Sequence, residues 1–275
     1  MNKFWKKRIF WINMFKVTIT LSVVTGGALL MSFVDGKKKD VICKKVNISI
    51  DYGNSPKFIF EQKIGADIDL LEGKITGKPA NLIRIERIES FLKTNPFVKK
   101  ADVFTSTDGV MFIDIIQKKA VVRVINSQNQ SLYLDEDGSP LPFEFSLPYR
   151  LIPVTGNIGF SYENASDTTD REFYAANKML MHKLVHLANA IRNDAFMEAL
   201  TEQIYVEDMN HFELIPKLGG HIIALGNTDR LEEKFSNLLA FYNEGIEKIG
   251  WENCNEISLK NKNQVVCKIK TKNGI

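Results

Sequence analysis

The sequence predicts an α+β protein in which a membrane-spanning helix near the start is followed by two small folded units. Three observations support this prediction. Residues 17–34 form an uncharged apolar run. Residues 85–123 show the pattern of a helix, an abrupt stop and a β-hairpin. Helix-like and strand-like patterns then alternate as far as residue 270, in a chain whose 44% hydrophobic and 25% charged residues are typical of globular proteins.

The first predicted element is a membrane anchor. Val17–Val34 runs for 18 residues without a charge, and a helix needs about 20 apolar residues to cross a bilayer core. We assign the anchor to residues 17–35, with a start as early as residue 9 left open, behind a tail of residues 1–16. A cleaved signal peptide is the alternative. The apolar run is long for one, and no clear small-residue cleavage site follows it.

The charge distribution bears on partners and on orientation. Five basic residues and no acidic one lie in residues 1–16, so the remainder holds 31 Lys and Arg against 33 Asp and Glu. This slightly acidic body lacks the clustered basic face that phosphate binding needs, which argues against a nucleic-acid binder. Five lysines also follow the anchor, so the positive-inside rule does not orient the chain. A long body behind a short leader favours export of the body.

The first folded unit is predicted over residues 42–118, as strand, helix, helix, strand, strand. Val46–Ile50 alternates apolar and polar residues, which is typical of a half-buried strand. Glu61–Leu71 is a short predicted helix that ends near Gly73. The second helix is marked by apolar residues at helical spacing: Ile85, Ile88, Phe91 and Leu92.

A proline and a tight turn complete that unit. Pro96 cannot continue the second helix and pushes Asn95 out of the helical region. Asp108-Gly109 then lies between two β-rich runs and predicts a hairpin.

The second unit is predicted over residues 119–271, as an antiparallel sheet with helices on one face. Helices are predicted from about Arg171 to Met197 and from Leu231 to Gly250, the latter with Asp229 and Glu232 as a capping-box-like start. The material between Val206 and His221 is too polar to belong to the core. The clearer strand patterns cover Ser131–Leu134, Gln203–Val206, His221–Leu225, Asn255–Lys260 and Gln264–Lys270.

Several motifs in this order resemble a known family. Asn95-Pro96-Phe97-Val98 and Ala101-Asp102-Val103-Phe104, with the order of elements around them, resemble a POTRA domain. Gln117–Arg123 resembles the junction between the POTRA and β domains of the bacterial cell-division family FtsQ (DivIB), which usually reads Q-R-x-P-V-A-R. The chain departs from that pattern at Lys118, Ala120 and Val122. The resemblance covers most of residues 40–270 and continues through Tyr133–Gly138, Pro142 and Leu151–Gly156.

The resemblance implies a non-catalytic, single-pass inner-membrane protein of the division septum, with a cytoplasmic amino end and a periplasmic body. In proteins similar to FtsQ, the far end of the β domain docks FtsB, which pairs with FtsL, and the POTRA domain takes part in recruiting other division proteins. No cofactor is implied. The alternative is an outer-membrane assembly or secretion factor that binds client strands through its POTRA unit. Such proteins usually carry several POTRA units or a membrane barrel.

The last predicted strand is the candidate binding element. Gln264–Lys270 alternates well, and a strand at a sheet edge presents backbone groups that a partner strand can complete. Lys268 and Lys270 also fit protective edge charges that prevent pairing. The predicted partner-binding residues are Val265, Val266, Cys267, Lys268 and Ile269.

The sequence shows no catalytic or metal-binding motif. His182 and His186 are four residues apart on a predicted helix, but they face away from its apolar stripe and lack the H-E-x-x-H context. Asp135-Glu136-Asp137 fits a solvated turn, and Glu86 with Glu89 fits an exposed helix face. We therefore predict that the chain is not an enzyme. An anchored cell-wall hydrolase would need a catalytic constellation that these residues do not provide.

The three cysteines, Cys43, Cys254 and Cys267, fit no metal spacing. Cys254 and Cys267 flank a predicted hairpin, so pairing across it stays open. Buried thiols are the favoured interpretation.

Overall fold

The structure is a computed structural model, and it describes residues 18–26, 41–144, 151–250 and 253–269, without the side chains of residues 246 and 247. The chain divides into two compact units. Unit 1 contains residues 1–51 and 59–116, and unit 2 contains residues 52–58 and 117–275.

The predicted anchor lies largely outside the described residues. Residues 18–26 are helical, and the rest of the predicted span of residues 17–35 is not described. Within the described part of the chain, no helix is long and apolar enough to span a bilayer.

Unit 1 has the predicted order of strand, helix, helix, strand, strand. Its sheet has the order β1-β3-β2, and β1 runs parallel to β3. A 3₁₀ turn, Ala80–Leu82, separates the two helices. The elements are β1 (Lys45–Asp51), α1 (Glu61–Glu72), α2 (Ile85–Lys93), β2 (Val98–Thr105) and β3 (Val110–Gln117).

Both helices of unit 1 bury apolar side chains, and one face of the sheet buries apolar side chains as well. Ile64 and Ile68 of α1 and Ile88 and Leu92 of α2 are buried. Met111, Ile113 and Ile115 alternate along β3 and are at most 1% exposed. The turn between β2 and β3 requires glycine, because Gly109 has φ +89° and a Cβ there would lie 2.3 Å from the carbonyl oxygen of Ile42.

Unit 2 is built on a nine-stranded sheet with the order β12-β11-β10-β9-β8-β7-β4-β5-β6. The strands are β4 (Ala120–Ile125), β5 (Ser131–Asp135), β6 (Pro140–Pro142), β7 (Ile152–Gly156), β8 (Thr201–Asp208), β9 (His211–Pro216), β10 (Ile222–Gly226), β11 (Cys254–Ser258) and β12 (Val266–Ile269). The helices are α3 (Arg171–Asn193), α4 (Ala195–Leu200) and α5 (Leu231–Ala240). A π-helical turn, Phe241–Gly245, and a short helix, Ile246–Ile249, follow α5.

The sheet of unit 2 is mixed, which corrects the prediction of an antiparallel sheet. The neighbours β4 and β7, β7 and β8, and β10 and β11 are parallel. The reason lies in the connections, because α3 and α4 lie between β7 and β8 and α5 lies between β10 and β11. A strand that returns through a helical crossover lies parallel to the strand it left.

The polar stretch between Val206 and His221 contributes to the core, contrary to the prediction. It contains β9, in which Phe212 and Leu214 are fully buried. These two apolar residues alternate with His211 and Glu213, so one face of the strand belongs to the core while its composition remains polar.

Helix boundaries differ from the prediction at two places. The helix predicted from Arg171 to Met197 is interrupted at Asp194, whose backbone is extended and whose carboxylate accepts the N–H of Met197. The predicted capping box at Asp229 is absent. Arg230 is instead the N-cap residue before α5, in the left-handed conformation with φ 53° and no side-chain hydrogen bond to the helix.

Helices α3 and α5 share one core with a single face of the sheet. Leu184 and Ile191 of α3 and Leu238 of α5 are fully buried in the same cluster as inward-facing residues of the strands. The strand residues of this cluster include Val154, Ile204, Val206, Phe212, Leu214, Ile223 and Ile257.

At Gly156 the backbone of the neighbouring strand lies too close to leave room for a side chain. Gly156 has φ +113°, and a Cβ would lie 2.2 Å from the carbonyl oxygen and 2.7 Å from the nitrogen of Val206. We expect Gly156→Ala to lower the free energy of unfolding by about 3 kcal/mol, because the added Cβ would clash with the backbone of Val206 and alanine is strained at this φ. Urea denaturation followed by circular dichroism measures the change.

Gly159→Ala is the matched control. A Cβ at Gly159 would meet only Phe173, at 3.9 Å, and φ there is not positive. This variant should remain within about 1 kcal/mol of wild type, and equal losses in the two variants would contradict the proposed clash.

Candidate functional site

The candidate site is the sheet edge formed by β12. Among the described residues, β12 pairs with β11 alone, at one end of the nine-stranded sheet. Val266 lies opposite Ser258, Cys267 opposite Ile257 and Lys268 opposite Glu256. The outer side of an edge strand carries backbone N–H and C=O groups that no neighbouring strand bonds. The site therefore offers a backbone template rather than a cavity.

The five predicted binding residues lie together at this edge, but only four are in the strand. Val266–Ile269 form β12, Val265 directly precedes it, and Lys270 lies beyond the described residues. Val265 and Cys267 pack partly against the core. Lys268 is exposed, and Ile269 is 65% exposed. The first half of this segment therefore packs against the core, and its second half is exposed to solvent.

Cys254 and Cys267 form a disulfide, which corrects the interpretation of these residues as buried thiols. Their Cα atoms lie 5.7 Å apart on paired strands, within the range that a disulfide bridges. Cys254 is 1% exposed and belongs to the core. The bond therefore ties the edge strand covalently to a buried position of its neighbour.

An ion pair across the two strands adds a second link. Nζ of Lys268 lies 2.7 Å from Oε1 of Glu256 and 2.8 Å from Oε2. Because Glu256 lies directly opposite Lys268, the pair follows from the register. Sequence analysis missed Glu256, because no local pattern shows which residue of β11 lies opposite Lys268.

The electrostatics around the edge are mixed rather than basic. On β9, burial raises the pKa of Glu213, and the carboxylates of Glu207 and Glu256 raise it further. Lys260 and Lys268 act in the opposite direction. The lysines near the edge therefore offset neighbouring carboxylates, and an incoming segment does not meet an uncompensated basic patch.

A hydrogen bond between the buried His221 and the half-buried Tyr242 holds the segments that lead into β10 and β11. Nε2 of His221 lies 2.6 Å from the Tyr242 hydroxyl, and Phe196 packs edge-on against the Tyr242 ring, with centroids 5.4 Å apart. Burial lowers the pKa of His221 and raises that of Tyr242. His221 directly precedes β10, and Tyr242 lies in the π-helical turn before β11.

The other histidines form no catalytic or metal site within the described residues. His182 and His186 are exposed on α3. Nδ1 of His211 lies 2.7 Å from a carboxylate oxygen of Asp208 on the surface. No group of three or more His, Cys, Asp or Glu residues in the described chain is placed to hold a metal ion.

Two acidic side chains predicted to be solvated are instead structural. Asp135 is 3% exposed, and its Oδ1 accepts the N–H groups of Asp137 at 3.0 Å and Ser139 at 2.7 Å. Burial raises its pKa, which the hydrogen bonds and Lys118 partly oppose. In unit 1, Oε1 of Glu89 accepts the N–H of Val103 at 3.0 Å, so this carboxylate bonds β2 rather than facing solvent.

Comparison with known proteins yields two family matches. The model described as FtsQ/DivIB, C-terminal related, matches residues 119–268, and the model described as POTRA-like domain matches residues 41–116. No curated protein matches the chain.

The disulfide should contribute measurably to the stability of unit 2. It closes a loop with a sequence separation of 13 residues, and a loop of this size contributes about 3 kcal/mol by constraining the unfolded chain. We expect dithiothreitol to lower the melting temperature of the wild-type chain.

Cys267→Ala is the control, because it lacks the disulfide in either buffer. It should melt at one temperature with and without dithiothreitol. A wild-type melting temperature that does not respond to the reductant would contradict the disulfide. Alkylation of all three cysteines in the unfolded, unreduced chain would also contradict it, because only Cys43 should then react.

Because of the His221–Tyr242 pair, we expect the free energy of unfolding of the chain to depend on pH. Because burial lowers the pKa of His221 in the folded state, the unfolded chain binds a proton more readily than the folded one. The stabilising contribution is complete above the unfolded pKa of about 6.5 and is lost as the pH falls below it. Denaturation at several pH values should show a smaller loss on acidification for His221→Gln than for wild type, and equal losses would contradict this assignment.

Proposed function

Because the chain belongs to the FtsQ/DivIB family, we propose that it is a non-catalytic scaffold of the bacterial cell-division complex, held in the inner membrane by one amino-terminal helix. The family is one of division scaffolds rather than enzymes. In this proposal the tail of residues 1–16 is cytoplasmic, residues 17–35 span the membrane, and a POTRA domain of residues 42–118 and a β domain of residues 119–271 lie in the periplasm at the septum. The mechanism is assembly, in which the anchor holds binding surfaces near the site of constriction.

The partners that we propose for the β domain are membrane division proteins of the FtsB and FtsL type. The observation that supports this most directly is the position of β12 at the end of the described sheet, with β11 as its neighbour on one side alone. A partner segment that adopts an extended conformation can add to that side by β-augmentation. Main-chain hydrogen bonds then supply affinity, and alternate side chains supply specificity.

The exposed half of β12 indicates how a partner would gain contact area. Ile269 is 65% exposed at the outer end of the strand, and Ile222, in the row of residues that contains Glu256 and Lys268, is 39% exposed. An incoming strand that covers Ile269 would remove apolar surface from water, at about 25 cal/mol for each Å². The predicted residues Val265, Val266, Cys267, Lys268 and Ile269 remain the proposed contact set.

The disulfide and the ion pair fit this role. A short edge strand gains a partner at low entropic cost only if it is already ordered. The Cys254–Cys267 bond and the Lys268–Glu256 pair fix β12 on its neighbour before a partner arrives. Other division components would bind through the POTRA domain.

The test is titration calorimetry of the full chain in detergent with the periplasmic segment of the FtsB–FtsL pair from the same organism. Val266→Pro places a residue without an N–H in β12 and obstructs strand pairing. Lys262→Pro is the matched control, because Lys262 lies in the exposed turn between β11 and β12. Circular dichroism first establishes that both variants are folded.

We expect micromolar or tighter binding by wild type and by Lys262→Pro, and at least a tenfold loss for Val266→Pro. Unchanged binding by a folded Val266→Pro variant would reject β12 as the docking edge and leave the scaffold role intact. Failure of wild type to bind the pair would reject these partners.

A further inference from the structure

The disulfide of unit 2 joins one enclosed cysteine to one that is partly exposed. Cys254 is 1% exposed and belongs to the core cluster, whereas Cys267 lies on the edge strand β12 and is partly exposed. A thiolate breaks a disulfide by attacking one of its two sulfur atoms, so access determines which sulfur reacts. Cys267 is therefore the side of this bond that a thiolate can reach.

The outer edge of the sheet leaves an approach to Cys267. Among the described residues, β11 is the only strand that lies beside β12. The chain on both sides of Cys267 is also exposed, at Asn261–Gln264 before it and at Lys268 and Ile269 after it. A reactive thiol on a second protein can thus approach the bond from the edge.

The other links between β12 and the sheet are weaker than the disulfide. The strand has four residues, and its register with β11 shifts between Cys254 and Glu256. The side chain of Lys268, which pairs with Glu256, is 64% exposed, and exposed ion pairs contribute little to stability. Val265, just before the strand, packs only partly against the core. The covalent bond is therefore the main constraint on the position of β12.

The turn that precedes β12 has attachments of its own. The N–H of Asn263 is donated to Oε1 of Glu233 on α5, at 3.2 Å. Leu259, just after β11, donates its N–H to the carbonyl oxygen of Ala224 at 2.9 Å. Neither bond involves the disulfide. Loss of the disulfide should therefore release β12 and leave β11 and the start of the turn in place.

The third cysteine provides a contrast within the same chain. Cys43, in unit 1, is fully buried and is not part of a disulfide. Burial raises the pKa of its thiol, and a buried, protonated thiol is unreactive. Reaction at Cys43 therefore reports unfolding rather than exchange at the native surface.

We propose that Cys267 is a thiol–disulfide exchange site, at which a protein with a reactive pair of thiols reduces the Cys254–Cys267 bond and releases β12. An oxidised protein of the same class would restore the bond. The enclosed position of Cys254 and the edge position of Cys267 give the reaction its direction.

The reaction has two steps. A thiolate of the dithiol protein attacks Sγ of Cys267, which breaks the S–S bond, forms a mixed disulfide and releases Cys254 as a thiolate that takes up a proton. The second thiolate of that protein attacks the sulfur that the same protein contributes to the mixed disulfide. Cys267 leaves and is protonated in turn. Two electrons and two protons have then passed to the chain, and the dithiol protein has been oxidised to a disulfide.

Reduction at Cys267 would control the docking of partners. Strand addition is most favourable when the receiving strand is already ordered, so the reduced chain should bind a partner segment more weakly. This consequence rests on the proposed function, whereas the exchange at Cys267 and the release of β12 do not.

The first experiment identifies the sulfur that is attacked. The probe is thioredoxin with its resolving cysteine replaced by serine, which stops the reaction at the mixed disulfide. It is incubated with the folded full chain in detergent, the mixture is quenched, and the products are digested with trypsin. Mass spectrometry separates the three cysteines, because Cys43 lies in the tryptic peptide of residues 40–44, Cys254 in that of residues 249–260 and Cys267 in that of residues 263–268.

We expect the mixed disulfide at Cys267 to exceed that at Cys254 at least tenfold, with Cys43 unlabelled. Equal labelling of Cys254 and Cys267, or no reaction of the folded chain, would overturn the proposal. Labelling of Cys43 at a similar rate would also overturn it, since the reaction would then proceed through the unfolded chain.

The second experiment follows the release of β12 by hydrogen exchange. Amides of residues 264–269 should exchange at least tenfold faster after reduction with dithiothreitol, whereas those of residues 201–216, in β8 and β9, should not change. Cys254→Ala should resemble the reduced chain in either buffer, and Cys43→Ala should respond to dithiothreitol as wild type does. Unchanged exchange of residues 264–269 in the reduced chain would reject the release of β12.

Titration calorimetry with the FtsB–FtsL segment then tests the control of docking. We expect the reduced wild-type and Cys43→Ala chains to bind at least tenfold more weakly than their oxidised forms, and reoxidation to restore binding. Equal affinity of the oxidised and reduced chains would reject redox control of docking. Failure of the oxidised chain to bind would instead reject the proposed partners, and the first two experiments would still decide whether Cys267 is the exchange site.

Discussion

The packing of α3 and α5 on one face of the nine-stranded sheet is the constraint on which unit 2 depends. Each helix connects two strands that lie side by side, and each must cover the same apolar face before the chain rejoins the sheet. That requirement makes β7 parallel to β8 and β10 parallel to β11. It also carries the chain outward with every crossover, so that the hairpin of β11 and β12 is added at one end of the sheet.

Much of this architecture is encoded locally. The order of elements in unit 1 follows from period and turn chemistry, because Pro96 ends a helix and Gly109 permits a turn that other residues do not. The terminal strand was visible as an alternating pattern, and its place in the sheet follows from the connections. The strand β9 was hidden, since two buried residues, Phe212 and Leu214, stand among polar ones. Strand direction was predicted wrongly because no local pattern distinguishes a parallel from an antiparallel neighbour.

The candidate site was only partly predictable for the same reason. A run of alternating residues identifies a strand, but the partners of its side chains depend on register. The contact between Lys268 and Glu256 follows from the alignment of β11 with β12. The bond between Cys254 and Cys267 requires the same two strands to lie side by side. Burial is likewise a tertiary property: Asp135 belongs to an acidic triplet typical of a solvated turn, yet its carboxylate is enclosed.

The crossovers also divide the sheet of unit 2 into segments of different folding character. The three strands β8, β9 and β10 follow one another along the chain and pair antiparallel, so their contacts are local and form early by ordinary loop-closure arguments. The hairpin of β11 and β12 is local as well, but it joins the rest through three residue pairs with β10 after a long helical excursion. That hairpin is therefore expected to behave as a separate cooperative unit, opening and exchanging its amide protons at a lower free energy than the strands behind it. Because Cys254 and Ile257 of this hairpin belong to the core cluster, its opening would expose part of the core along with the outermost strands.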